Sequence, residues 1–152
     1  MPNTTDLIFL DAGNVLFYLP RNWAQRVRDV LESRGFREEA IIRALAAGEA
    51  VEKGDVWIST WEQEIVYQRN RYRAAVNQLP GASDALVDEL FHLCHFVTDF
   101  VLFDDVLPTL EKISVRYRMA VISNALPSMD WAFDRFNLRR YFERVFISSP
   151  MG

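Results

Sequence analysis

The sequence predicts an α/β protein, a Rossmann-like parallel-sheet core interrupted by an inserted bundle of helices. Three observations carry this. Short continuous apolar runs stand at 7–10, 119–122 and 145–147, each ending on polar residues, the pattern of strands buried on both faces of a parallel sheet. Between the first and second runs the apolar period becomes helical, in four successive stretches with no strand among them. After those helices the strand pattern returns, without an internal repeat, low-complexity tract or long linker. The expected division is 1–17 and 99–152 for the α/β core and 18–98 for the helical insert.

Each element has its own signal. The first strand stops at Asp11, and Gly13-Asn14 turns the chain. Trp23, Val27, Val30 and Leu31 recur at helical spacing, and Gly35 is placed to end that helix, because glycine readily takes the left-handed conformation that closes one. Ile41, Ile42 and Leu45 mark a second helix, predicted to close near Gly48. Gly54 and Asp55 make a turn. Ser59-Thr-Trp-Glu62 has the S-x-x-E spacing of a capping box and opens a helix carrying Trp61, Ile65, Tyr72 and Val76. Pro80-Gly81 breaks it, and Ser83 is the N-cap candidate for a fourth helix with the apolar stripe Leu86, Leu90, Leu93 and Val97. Val106, Leu110 and Ile113 predict a helix before the second strand; Trp131, Phe133 and Phe136 predict another before the third.

Composition excludes several function classes. The 152 residues carry 17 Lys and Arg against 21 Asp and Glu, a net charge of −4 without a long basic block, which argues against nucleic acid as a partner. No apolar run approaches the ~20 residues that span a bilayer, and MPNTTD has no charged lead into an apolar segment, so no membrane association is expected. A single cysteine, Cys94, cannot form an intramolecular disulfide and suits a reducing compartment. A cytoplasmic location is expected.

Ligands of open parallel sheets sit beyond the carboxyl ends of the strands. Here those ends present Asp11, then Ser123-Asn124, then Ser148-Ser149. A carboxylate ending a buried strand is costly to hold unless it has a partner, a metal or a chemical task. Successive backbone N–H groups at Gly13 and Asn14 are expected to form an anion-binding nest. The combination suits phosphoryl transfer, with Asp11 as nucleophile, Mg²⁺ to neutralise charge, and N–H and O–H donors around the phosphoryl oxygens. Other groups read more simply. His92, Cys94 and His95 match no four-ligand zinc spacing; Trp23, Trp57, Trp61 and Trp131 are packing residues; Arg69, Arg71 and Arg73 belong to a solvated surface; Ser148 and Ser149 form a loop.

DAGNVL, then VISNA, with GEAVEKGDVWISTWEQE between them, resembles the haloacid dehalogenase superfamily of hydrolases with a C1-type helical cap. By that resemblance Asp11 matches the nucleophile, Val15-Leu16 the end of the first signature, and Ser123-Asn124 the second motif. It implies an aspartyl-phosphate on Asp11, Mg²⁺ held by Asp11 and the Gly13 carbonyl, a small phosphorylated metabolite as substrate, and phosphate contacts from Gly13, Asn14, Ser123 and Asn124. Two departures qualify what it implies. Gly13 stands where the family has its second aspartate, as in a D-x-G-N-V subgroup that includes sugar-phosphate phosphatases of the bacterial glucose-1-phosphate type. Since general acid catalysis is typically worth roughly 10²–10⁴-fold, a stable leaving group is expected, an anomeric or acyl phosphate. The family's third-motif lysine and later acidic pair are not reached by Gly152. The chain is therefore expected to be a fragment with weak Mg²⁺ binding and little activity alone, its incomplete sheet leaving an edge or apolar surface exposed. Two alternatives stand beside this: metal-free 2-haloacid dehalogenation by the same carboxylate, which Gly13 does not exclude, and a non-catalytic binding module.

Overall fold

The computed structural model describes residues 7–52, 58–95 and 99–148. The turn expected at Gly54-Asp55, together with Trp57, Val97 and Ser149, lies outside them. In chain order the elements are β1 (Leu7–Leu10), β2 (Phe17–Tyr18), α1 (Trp23–Ser33), α2 (Glu38–Glu52), α3 (Trp61–Val76), α4 (Asp84–Cys94), β3 (Val101–Leu102), α5 (Val106–Ser114), β4 (Arg118–Asn124), α6 (Asp130–Arg135) and β5 (Arg144–Ser148). They fall into two compact units. The described residues up to Pro20 and from Asp99 onward form a sheet unit, and those from Arg21 to His95 a helical unit.

In the sheet unit β1, β4 and β5 pair in parallel in the order β1-β4-β5, so β4 is central. Leu10 lies beside Val121, and Val121 beside Val145. Side chains alternate across a sheet, and one face presents Ile8, Leu10, Met119, Val121, Val145 and Ile147 to a core that also holds Val106, Leu110, Ala132, Phe133 and Leu138. Phe17 sits fully buried in that core, edge-on to Phe100 and Phe133. The opposite face is open. Phe9, Ile122 and Phe146 are 56%, 51% and 53% exposed there. A feature unforeseen from sequence is the antiparallel ribbon of β2 and β3, which pairs Phe17 with Leu102 and Tyr18 with Val101. It keeps Tyr18, Leu19 and Pro20 with the sheet unit.

In the helical unit α1 packs on α2 and α4, and α3 on α2 and α4. Helix α1 starts on a reciprocal cap: the Asn22 side chain accepts from the Gln25 N–H, and the Gln25 side chain accepts from the Asn22 N–H. It ends at Gly35, φ 78°, with the Gly35 N–H donating to Glu32 O and the Phe36 N–H to Leu31 O, the paired closure that a left-handed residue permits.

Three expectations need correction here. Helix α2 does not close near Gly48 but continues to Glu52. Gly48 is a contact residue: a Cβ there would stand 2.3 Å from Trp23 Cη2, so the missing side chain makes room for the indole. The box opening α3 is shifted by one, with Thr60 as N-cap and Gln63, not Glu62, accepting from the N–H groups of Ser59 and Thr60. In α4 Leu93 is exposed, while Leu86, Val87, Leu90, Phe91 and Cys94 turn inward. Ser83 is the N-cap residue, though its side chain makes no capping bond.

The inward stripe of α3 is unexpectedly polar, with Glu64, Gln68, Arg71 and Tyr72 all buried. Arg71 is therefore not part of a solvated surface; its guanidinium lies 3.8 Å from the Trp23 ring centroid, a stacked cation–π contact. Arg26, also buried, donates from Nε to Arg21 O and from Nη1 to Cys94 O, each at 3.1 Å. His95 Nε2 lies 3.2 Å from Glu64 Oε1, and its ring stacks on Trp61 and Phe91. That contact lacks hydrogen-bond geometry, since Nε2 has no hydrogen-bond partner, and it is an ion pair only with the imidazole protonated. Among the described residues no three His, Cys, Asp or Glu side chains gather as a metal site. Burial pushes the Cys94 thiol up to about 12. No described helix is long and apolar enough to cross a membrane.

Candidate active site

Asp11 follows the last residue of β1 and is exposed. The turn behind it is anchored on Ala12, which is fully buried and whose carbonyl accepts from the N–H groups of Val15 and Leu16 at 3.2 and 2.8 Å. Asn14 takes φ 58°, a left-handed conformation that asparagine tolerates better than most residues. Its N–H donates to Phe17 O at 2.8 Å. The anion-binding nest expected at Gly13 and Asn14 therefore loses the Asn14 N–H, which the turn itself consumes.

Because β1 and β4 are adjacent and parallel, their carboxyl ends reach the same edge of the sheet. Ser123 is the penultimate residue of β4 and is 3% exposed. Its hydroxyl donates to Asp11 Oδ1 at 2.7 Å, and the Ala12 N–H donates to the same oxygen at 2.7 Å. Two donors on one oxygen fix the carboxylate in place and leave the other oxygen for an electrophile or a cation. Asn124 follows on the opposite face of β4 and is exposed. The chain then crosses toward β5 through the Ala125 N–H, which donates to Ser148 O at 2.9 Å. The structure thus joins Asp11 and Ser123 directly. It gives Asn14 and Asn124 exposed side chains near them in sequence but no bond to either.

One neighbour was not legible beforehand. Met129 ends a short 3₁₀ turn at Pro127–Met129, half-buried, with its Sδ 3.8 Å from Ser123 Oγ. A Cβ on Gly13 would stand 3.3 Å from Met129 Cε. Gly13 is not in the left-handed region, so a side chain there would need only a small shift of the Met129 methyl.

No family model and no curated protein matches the chain. Solved structures do. A 2-haloacid dehalogenase from Pseudomonas syringae pv. Tomato superposes with a TM-score of 0.55 at 17% identity, covering 93% of this chain and 63% of that one. The fold is haloacid dehalogenase-like. A HAD hydrolase from Bacillus subtilis, bound to magnesium, shares it with a TM-score of 0.52 at 13% identity, again over 93% of this chain and 63% of that one. So does a predicted phosphoglycolate phosphatase from Haemophilus somnus, at 0.50 and 14%, over 97% of this chain and 64% of that one. The chain spans a little under two thirds of the length of these three structures.

Proposed function

We propose that this chain carries the nucleophile of a hydrolase of small phosphorylated metabolites, working through an aspartyl-phosphate on Asp11. The observation that carries the reading is the 2.7 Å bond from the Ser123 hydroxyl to Asp11 Oδ1 at neighbouring strand ends. It aims the carboxylate and puts an O–H donor beside it. In the first step a carboxylate oxygen of Asp11 bonds to phosphorus while the bond from phosphorus to the leaving oxygen breaks, and that oxygen takes the electron pair. Ser123, released from Asp11, then donates to a phosphoryl oxygen. Water hydrolyses the acyl phosphate, giving inorganic phosphate and the free carboxylate.

Mg²⁺ belongs to this reading, supported by the magnesium in the Bacillus subtilis structure. The donor set fits in part. Mg²⁺ is commonly bound by one or two carboxylates with substrate phosphate and water, and Asp11 with the Gly13 carbonyl would be the protein's share. When bound, the ion would neutralise charge on the transferring group. A reducing, cytoplasmic setting completes the reading, supported by the buried free thiol of Cys94.

The Pseudomonas syringae structure favours a second reading, displacement of halide from a 2-haloacid by the same carboxylate. It needs no metal, so Mg²⁺ dependence separates the two. The test of the first reading is intact-mass measurement after incubation with acetyl phosphate and Mg²⁺. A phosphoryl adduct that disappears in Asp11→Asn, at unchanged circular dichroism, is the expected result; an adduct that survives the substitution overturns it.

A further inference from the structure

Four methionines occur in the chain. Met1 and Met151 lie outside the described residues, and Met119 is sealed in the core of the sheet unit, 1% exposed. Met129 differs from it in being half-buried and in touching the candidate site. Its Sδ is 3.8 Å from Ser123 Oγ, and its methyl lies beside the turn at Gly13. The Ser123 hydroxyl has one proton and two acceptors in range; Asp11 Oδ1, at 2.7 Å, holds it because a thioether accepts weakly. That preference depends on the oxidation state of the sulfur. We propose that Met129 is a reversible oxidation site that controls the Asp11 nucleophile: as the sulfoxide it draws the Ser123 hydroxyl off Asp11 and away from the phosphoryl group.

The oxidant is hydrogen peroxide. A lone pair of the Met129 sulfur attacks one peroxide oxygen; the S–O bond forms, the O–O bond breaks, and the other oxygen takes up the displaced proton and leaves as water. Sulfur is oxidised by two electrons and the peroxide reduced by two. Oxidation turns a flexible apolar side chain into a polar one. An oxygen bonded to a sulfur 3.8 Å from Ser123 Oγ brings a strong acceptor toward the ordinary O–H···O distance of about 2.7 Å. Of its two donors Asp11 Oδ1 then keeps the Ala12 N–H, and the transferring phosphoryl group loses the O–H donor. Loss of one such donor typically costs about 10²–10³-fold in rate. Sulfoxide reductases, one for each epimer, reverse the step: the oxygen leaves as water while a dithiol becomes a disulfide. The inference rests on the reading of Asp11 as nucleophile.

The experiment treats the protein with hydrogen peroxide, removes the peroxide, and follows the initial rate of adduct formation on Asp11 from acetyl phosphate and Mg²⁺ by intact mass. Peptide mass reports the oxygen on Met129. We expect labelling to fall at least about tenfold once Met129 is oxidised, at unchanged circular dichroism, and to recover when the two reductases remove the oxygen. Met129→Leu, which has no sulfur, labels at the untreated rate before and after peroxide. Met129→Gln, whose amide carbonyl is a permanent acceptor on an unbranched stem, is slow without peroxide. Ser123→Ala is slow from the outset, and oxidation slows it no further. Three results overturn the switch and leave the nucleophile standing: undiminished labelling of protein oxidised at Met129, an equal peroxide loss in Met129→Leu, or a Met129 that stays reduced while free methionine in the same tube is consumed. An adduct that survives Asp11→Asn, or none in untreated wild type, overturns the nucleophile reading and this inference with it.

Discussion

In the helical unit Arg26, Glu64, Arg71 and the His95 ring are buried, each against an oxygen, a ring or a partner charge of the same unit. Among the described residues of the sheet unit the interior is apolar apart from Ser123 and Ser128, and the carboxylate of interest, Asp11, stands exposed at a strand end. The difference teaches where reactivity can reside. Polar groups sealed among their own partners contribute to one packing arrangement and are closed to a substrate. A carboxylate held on one oxygen at an open strand end can meet an electrophile. Burial of charge is thus the weaker pointer to a site in this molecule, and a hydrogen bond across two strand ends the stronger.

The sharpest way to break that comparison is Glu64→Ala. Removing one member of a buried charged set strands the rest, and we expect a loss of about 3 kcal/mol in urea unfolding, with phosphoryl labelling of Asp11 retained by whatever fraction stays folded. A neutral result would mean that α3's inward charge is incidental. Next comes Gly48→Ala, which drives a methyl against the Trp23 indole; overpacking of this kind costs about 2 kcal/mol, and Trp23 fluorescence should shift with it. The smallest effect belongs to the sheet unit's surface. Arg118 grips the Glu143 carboxylate through both oxygens, at 2.6 and 2.8 Å, and holds its pKa below the usual carboxylate range. A folded-state pKa below the unfolded one stabilises at neutral pH and is lost as pH falls through that range. Glu143→Gln should therefore flatten the acid side of the stability profile slightly, an effect that added salt shrinks in the wild type because both groups are exposed.

Much of the architecture was legible because continuous apolar runs and helical spacing report burial directly. All three parallel strands and the succession of four helices follow from them. Gly48 misled because glycine marks helix ends and close contacts alike, and only Trp23, distant in sequence, distinguishes the two. The α4 stripe went wrong at Leu93 for a related reason: Val87 and Phe91 compete for the same inward arc. Arg71 and Glu64 were illegible, since a charged residue reads as solvated unless its partner from another helix is known. At the candidate site Asp11 and Ser123 could be picked out as strand-end residues, and their meeting follows from parallel neighbouring strands. Met129 could not be, because an unbranched apolar side chain carries no mark of what it fills.

Phe9, Ile122 and Phe146 already meet water over about half of their surface in the native sheet, so unfolding newly hydrates only the other half. Heat-capacity increments and denaturant slopes scale with newly wetted area, and those of the sheet unit should fall short of what its length suggests. A dye that brightens on greasy surfaces would glow with this protein before any denaturant is added.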